Sequence, residues 1–272
     1  MILGSGRCGS TLLQSILNTN PEFLIWGEHN GFLRHVASAY FGALDSVSGF
    51  PDDLELDSAE RIQRLRDQSR LTDWDNLFNR EGFRRRFQML LRSFFADPSG
   101  HSPRWGFKEI RYGRNRHDLL LPLVKECFPL ARFIILVREP YATVFSMLSA
   151  WRYVERMSQS ALDRLDIDKQ IISLTRLWAR SYAHLFRFLS AYPSESLLIR
   201  FEDLHNPITY ESLSQFLETS TFDYASHLSI VKNAAIKSDE TATYLRERIT
   251  CLKPLIDRIT RETRISFDYL EK

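Results

Sequence analysis

The segment Gly4-Ser5-Gly6-Arg7-Cys8-Gly9-Ser10-Thr11 lies between a short apolar stretch, Ile2-Leu3, and apolar residues at helical spacing, Leu12, Leu13, Ile16 and Leu17. A strand end that runs through a glycine-rich turn straight into an amphipathic helix constrains the fold more than any other feature of this chain. Gly4, Gly6 and Gly9 let the backbone turn tightly with its N–H groups pointing inward, while Ser10 and Thr11 are expected to cap the helix and add hydroxyl donors. A helix N-terminus carries unpaired donors and partial positive charge, so the segment predicts a phosphate or sulfate site. The alternative is a glycine-rich strand-to-helix turn that holds nothing.

Gly4 and Gly9 occupy the glycine positions of the phosphate-binding pattern G-x-x-x-x-G-K-[ST], but Ser10 stands where its lysine would be. The cation lies inside the loop instead, as Arg7. An ordinary ATP or GTP site therefore fits poorly.

With 272 residues and 44% hydrophobic content the chain can bury a full core as a single domain of residues 1–272. A net charge of +2 makes no case for nucleic-acid binding, so any basic site must be local. The three cysteines, Cys8, Cys127 and Cys251, are too scattered for a disulfide framework and share no metal-type spacing with the seven histidines. A reducing cytoplasm is the expected setting, with no bound metal. No apolar run reaches the length of a membrane span. About three residues precede the loop, which leaves open a native start further upstream.

Along the chain, Phe23-Leu24-Ile25-Trp26 predicts a second strand that delivers Glu28 and His29 at its end. From Asp45 to Asn79 the composition turns polar and acidic, with a charged helix around Ser58 to Gln68, and the region of about 40–100 is expected to be a helical insertion or lid. Phe83, Phe87, Leu90, Leu91, Phe94 and Phe95 form an apolar helical stripe, with Arg84-Arg85-Arg86 read as a solvated face. Strands are expected at Arg104 to Ile110, Ala131 to Val137 and Leu197 to Phe201. Helices are expected near Leu119 to Cys127, from Tyr141, and from Ile167 to Leu189. The alternation predicts an α/β, P-loop NTPase-like three-layer sandwich with a central parallel sheet flanked by helices.

Ala131 to Val137, a continuous apolar run of the kind buried on both faces of a parallel sheet, leads directly into Arg138-Glu139-Pro140. Pro140 suits the first turn of a helix, so Arg138 should emerge at the carboxyl end of a strand with Ser146 on the helix that follows. Ligands of open α/β sheets bind at that edge, and a guanidinium fork with a hydroxyl is good chemistry for a phosphate monoester.

Taken together, the Arg7 loop and Arg-x-Pro with a serine eight residues after the arginine resemble the 5′-phosphosulfate loop and 3′-phosphate motif of the sulfotransferases. That family uses 3′-phosphoadenosine 5′-phosphosulfate (PAPS) and releases adenosine 3′,5′-bisphosphate (PAP). Trp105-Gly106 with Lys108, Trp151-Arg152, Arg200-Phe201-Glu202-Asp203-Leu204 and Lys237-Ser238-Asp239-Glu240 extend the likeness in the right order, towards bacterial carbohydrate and protein-tyrosine types that combine a loop arginine with a glutamate base. Departures are Phe201, where the family has tyrosine, and the lack of a clear Arg-Lys-Gly segment near the C-terminus.

The resemblance implies sulfuryl transfer to a carbohydrate or other small hydroxyl acceptor. Gly6, Arg7, Cys8, Gly9, Ser10 and Thr11 would hold the phosphosulfate, and Arg138 and Ser146 the 3′-phosphate. Arg7 would also offset charge on the leaving oxygen. Glu28 is the candidate base, with His29 as its rival. Lys108 either binds sulfuryl oxygens or orients the acceptor, unless it simply pairs with Glu109. Trp105 and Trp151 either stack on a sugar or adenine or belong to the core. Outside this class stand a P-loop kinase or NTPase, which would need a loop lysine and a magnesium-binding acid, and a nucleotide-binding protein without catalysis.

Overall fold

The computed structural model describes residues 1–45, 58–68, 80–111, 119–150, 164–220, 222 and 240–262. Five parallel strands form one sheet in the order β2-β3-β1-β4-β5: β1 (Ile2–Gly4), β2 (Phe23–Trp26), β3 (Arg104–Glu109), β4 (Phe133–Val137) and β5 (Ser196–Arg200). The helices are α1 (Ser10–Leu17), α2 (Leu33–Asp45), α3 (Ser58–Asp67), α4 (Arg80–Phe95), α5 (Leu120–Cys127), α6 (Pro140–Ala150), α7 (Arg164–Ala191), α8 (Pro207–Leu217), α9 (Glu240–Cys251) and α10 (Lys253–Glu262). The α/β three-layer architecture anticipated from the alternating pattern is the one observed.

Strand β4 shows why the sheet is covered on both faces. Phe133, Ile135 and Val137 pack into one layer, with side chains from α2, α4, α5 and α7. Ile134 and Leu136 point the other way and pack with Leu13, Ile16 and Leu17 of α1 and Leu213 of α8. All five β4 residues are buried, as a run of branched and aromatic side chains with period-two orientation requires. Each contributes roughly 1.5–3 kcal/mol of apolar burial. A third cluster joins Val144, Met147 and Leu148 of α6 to Ile171 and Leu174 of α7 and to Leu245 and Ile249 of α9.

Of the region 40–100, residues 46–57 and 69–79 lie outside the described residues. Its flanks, Tyr40 of α2 and Leu91 and Phe95 of α4, are buried in the main core. Arg84 and Arg85 bond to Glu81 on the exposed side of α4, the solvated face expected of that arginine triplet. Trp105 stacks on Phe95 and meets Phe128 edge-on, which makes it a packing residue.

The sheet order places β1 at the centre, with β2 and β3 to one side and β4 and β5 to the other. The chain leaves β1 towards β2 but leaves β4 towards β5, so a topological switch point falls at the carboxyl ends of β1 and β4. Truncation of Ile135, wholly buried in β4, should lower unfolding free energy by about 2–5 kcal/mol in Ile135→Ala. Denaturant titration measures it, and a change below about 1 kcal/mol would contradict the packing role given to this strand.

Candidate functional site

In-register pairing aligns the carboxyl ends of the strands. Gly4 pairs with Leu136, Leu3 with Glu109, Trp26 with Phe107, and Val137 with Arg200. Loops leaving this edge therefore bring Arg7, Glu28, Lys108 and Arg138 to one side of the molecule.

The loop after β1 is tight because its neighbours leave no room. A Cβ at Gly4 would lie 2.6 Å from Cys8 Sγ and 2.8 Å from the Leu136 carbonyl. Gly9 has φ 95°, and a Cβ there would lie 2.2 Å from the Phe201 ring. The helix cap differs from expectation. Gly9 itself occupies the N-cap in a left-handed conformation, with no side-chain capping bond. Ser10 and Thr11 are already helical, so their hydroxyls do not serve as caps. Ser10 is buried, and Thr11 Oγ1 accepts a hydrogen bond from Lys108 Nζ at 2.7 Å. The first helical bond is Leu13 N–H to the Gly9 carbonyl, which leaves the N–H groups of Ser10, Thr11 and Leu12 without an intrahelical acceptor. Arg7 takes φ 64°, an uncommon conformation for a side-chain-bearing residue, and its side chain is exposed. Gly6 and Cys8 are buried, and burial raises the Cys8 thiol pKa.

The two arginine loops meet. Arg138 Nη1 donates to the Arg7 carbonyl at 3.2 Å, and Arg7 Nε donates to Ser146 Oγ at 3.1 Å. Arg138 also lies over the Phe201 ring, 4.3 Å from its centroid, so the residue that replaces tyrosine supports the guanidinium from below. Burial lowers the Arg138 pKa; Glu202 opposes that shift and neighbouring Arg7 adds to it. Arg138 Nε is buried and lacks a hydrogen-bond partner among the described residues. Glu139 caps α6 by accepting from the N–H groups of Tyr141 and Ala142, and burial raises its pKa.

On the other side of β1, Lys108 Nζ lies 3.5 Å from Glu28 Oε1, with side-chain exposures of 8% and 33%. The bland pairing with Glu109 is not the one adopted, because consecutive strand residues face opposite ways. Lys108 faces α1, while Glu109 faces His29. Arg111 approaches Glu28 Oε2 at 3.8 Å and donates to Asn30 Oδ1. The His29 side chain is 3% exposed, with Nε2 2.8 Å from Glu109 Oε2, although the contact lacks hydrogen-bond alignment. Phe32, Phe95 and Phe107 ring the imidazole edge-on.

Sequence reasoning did not single out Arg111, Trp178 or Tyr182. Trp178 Nε1 donates to the Arg138 carbonyl at 3.1 Å. Tyr182 donates to the Leu136 carbonyl at 2.8 Å and accepts from Ser5 N–H at 3.3 Å. Their signal was an aromatic pair with polar tips, four apart on the apolar face of a long helix. Trp151-Arg152 and Lys237-Ser238-Asp239 lie outside the described residues.

A glycine-rich strand-to-helix loop at the switch point of a parallel sheet defines an α/β protein of the P-loop NTPase-like kind. Within that class the chain belongs to the sulfotransferase family, whose model matches residues 1–221. Among solved structures it is similar to sulfotransferase STF9 from Mycobacterium avium, at 15% identity and TM-score 0.53 over 98% of this chain and 76% of that one. Weaker likenesses are to the sulfotransferase domain from the curacin biosynthetic pathway (20% identity, TM-score 0.48, 82% and 74% covered) and to a sulfotransferase from Alicyclobacillus acidocaldarius (16%, 0.45, 97% and 98%). A comparison with curated proteins finds no match. No described helix is long and apolar enough to cross a membrane.

Gly9→Ala should be costly at this site, combining an unfavourable φ with collision against Phe201. Thermal and denaturant unfolding should show a loss of about 1–3 kcal/mol. Unchanged stability would mean that the ring and the loop do not touch as described.

Proposed function

We propose that this sulfotransferase takes its sulfuryl group from PAPS and passes it to a hydroxyl of a carbohydrate or other small metabolite, releasing PAP and a sulfate ester. The observation that carries the reading is the joining of the two arginine loops across β1 and β4, through Arg138 to the Arg7 carbonyl and Arg7 to Ser146. A nucleotide with phosphate groups at both its 5′ and 3′ positions suits two cationic loops held this close. The fit is chemical as well: two guanidiniums and a helix N-terminus converge where Arg138 Nε is buried without a partner among the described residues.

The residues divide accordingly. Gly6, Arg7, Cys8, Gly9, Ser10 and Thr11 would hold the 5′ end, with the donors at the start of α1 supplying backbone N–H groups. Arg138 and Ser146 would hold the 3′-phosphate. When bound, the donor supplies an activated sulfuryl group. Arg7 offsets negative charge on the leaving oxygen, the kind of fixed electrostatic stabilisation that contributes most where water is excluded. Lys108, positioned between Thr11 and Glu28, reaches both the donor loop and the acceptor side. Glu28 would accept the acceptor's hydroxyl proton. Its partial exposure favours it over His29, whose ring is enclosed by aromatic side chains.

Among the described residues no group of three or more His, Cys, Asp or Glu side chains is arranged to hold a metal, and the proposed chemistry relies on protein cations. Cys8, Cys127 and Cys251 are unbridged, in keeping with a cytoplasmic setting. Residues 1–272 would act as one sulfotransferase domain, with a helical insertion or lid at about 40–100; the segment from Asp45 to Asn79 and the helices after Trp151 would shape the acceptor side.

Calorimetric titration with PAP, beside ATP plus magnesium, tests the donor. Tight metal-free PAP binding is expected, and preference for magnesium ATP would sink the reading. In Arg138→Ala, PAP affinity should fall about 10- to 100-fold. In Glu28→Gln, PAP affinity should stay within about twofold while PAP release from PAPS, across a panel of sugars and phenols, falls at least about 100-fold. The reverse pattern would overturn the role assignment.

A further inference from the structure

Helix α7 touches both arginine loops from beneath, one helical turn apart. Tyr182 and Trp178 are wholly buried, yet each spends its polar atom on the backbone of a loop end. The Tyr182 hydroxyl bridges the Leu136 carbonyl in β4 and the Ser5 N–H just beyond β1, with the Ser5 hydroxyl also 3.3 Å away. Trp178 Nε1 holds the Arg138 carbonyl. Side chains at i and i+4 on one face have a fixed separation, so a single rigid helix sets the positions of both loops relative to each other. Burial raises the Tyr182 pKa well above the usual tyrosine range, which keeps its proton available for the Leu136 carbonyl.

We infer that Tyr182 and Trp178 are positioning residues that fix the spacing between the Arg7 and Arg138 loops, and so make the site select a nucleotide phosphorylated at both 5′ and 3′ positions over one with a 5′-phosphate alone. This rests on the nucleotide reading above. The energetic reason is that a ligand held at two points loses affinity when either point drifts. A ligand held at one point can follow its loop. Packing alone would not require these polar contacts, since a phenylalanine at either position would fill much of the same volume.

Tyr182→Phe removes one oxygen and leaves the Ser5 N–H and Leu136 carbonyl buried without that partner, a change expected to weaken two-point binding about tenfold. The test titrates wild type, Tyr182→Phe and Trp178→Phe with PAP and with adenosine 5′-monophosphate, and follows amide hydrogen exchange in the ligand-free proteins. The expected result is an approximately tenfold loss for PAP in each variant against less than about twofold for the monophosphate. Faster exchange should be confined to residues 5–9 in Tyr182→Phe and to residues 138–142 in Trp178→Phe. A merely structural role would lower the melting temperature and weaken both ligands equally, which would overturn the inference. Wild type that binds neither nucleotide overturns the nucleotide reading and this selectivity with it. Wild type that prefers PAP, with variants that keep the same preference and the same exchange, overturns the brace alone.

Discussion

Arg138 is held at the edge of the sheet against two costs, burial first and the like charge of Arg7 after it, and its surroundings answer both. Arg138 is half-buried and has Arg7 as a like-charged neighbour, with Glu202 as an opposing charge. Arginine keeps its proton under such conditions where lysine would tend to lose it, so Arg138 stays cationic. The Phe201 ring beneath Arg138, the Arg7 carbonyl in front of it and Ser146 against Arg7 each accept part of this positive charge. None of them neutralises it. An anion between the loops would.

The second half of the site follows a different logic. Lys108 and Glu109 are adjacent in β3 but face opposite ways, one to Thr11 and the other to His29. The strand's two-residue period therefore sends one charge to α1 and Glu28, and the other to the buried imidazole of His29. Glu109 also accepts from the N–H groups of Ile110 and Arg111, which fixes the turn after β3. From that turn Arg111 reaches back to Glu28 and Asn30. Glu28 is thus contacted from the strand and from the turn beyond it.

Much of this was legible in the chain because it depends on local periodicity. The unbroken apolar run of β4 announced a strand buried on both faces, and Pro140 marked where α6 begins. The glycines of the first loop and the Arg138-Glu139-Pro140 sequence placed both arginine loops at strand ends. What escaped reading depends on which strand lies beside which. Nothing local says that Tyr182 will lie under Ser5 or that Trp178 will reach Arg138, since each pair is brought together by sheet order. The cap is the opposite case. Ser10 looked like a cap by residue type, but the left-handed turn needed at position 9 moved the helix start one residue earlier and gave the cap to glycine.

Strand β1 is the central strand, flanked by β3 and β4, whose residues lie more than 100 positions further along. The loop that follows it also needs support from Leu136, Tyr182 and Phe201. During synthesis, the part of the site made first must therefore wait for partners that emerge much later, and its closure carries the entropy cost of long-range parallel pairing. Until α7 and the turn after β5 have formed, the loop has its sequence but not its shape. Anion binding would then register completion of the whole sheet, and an assay for it would double as an assay of correct folding.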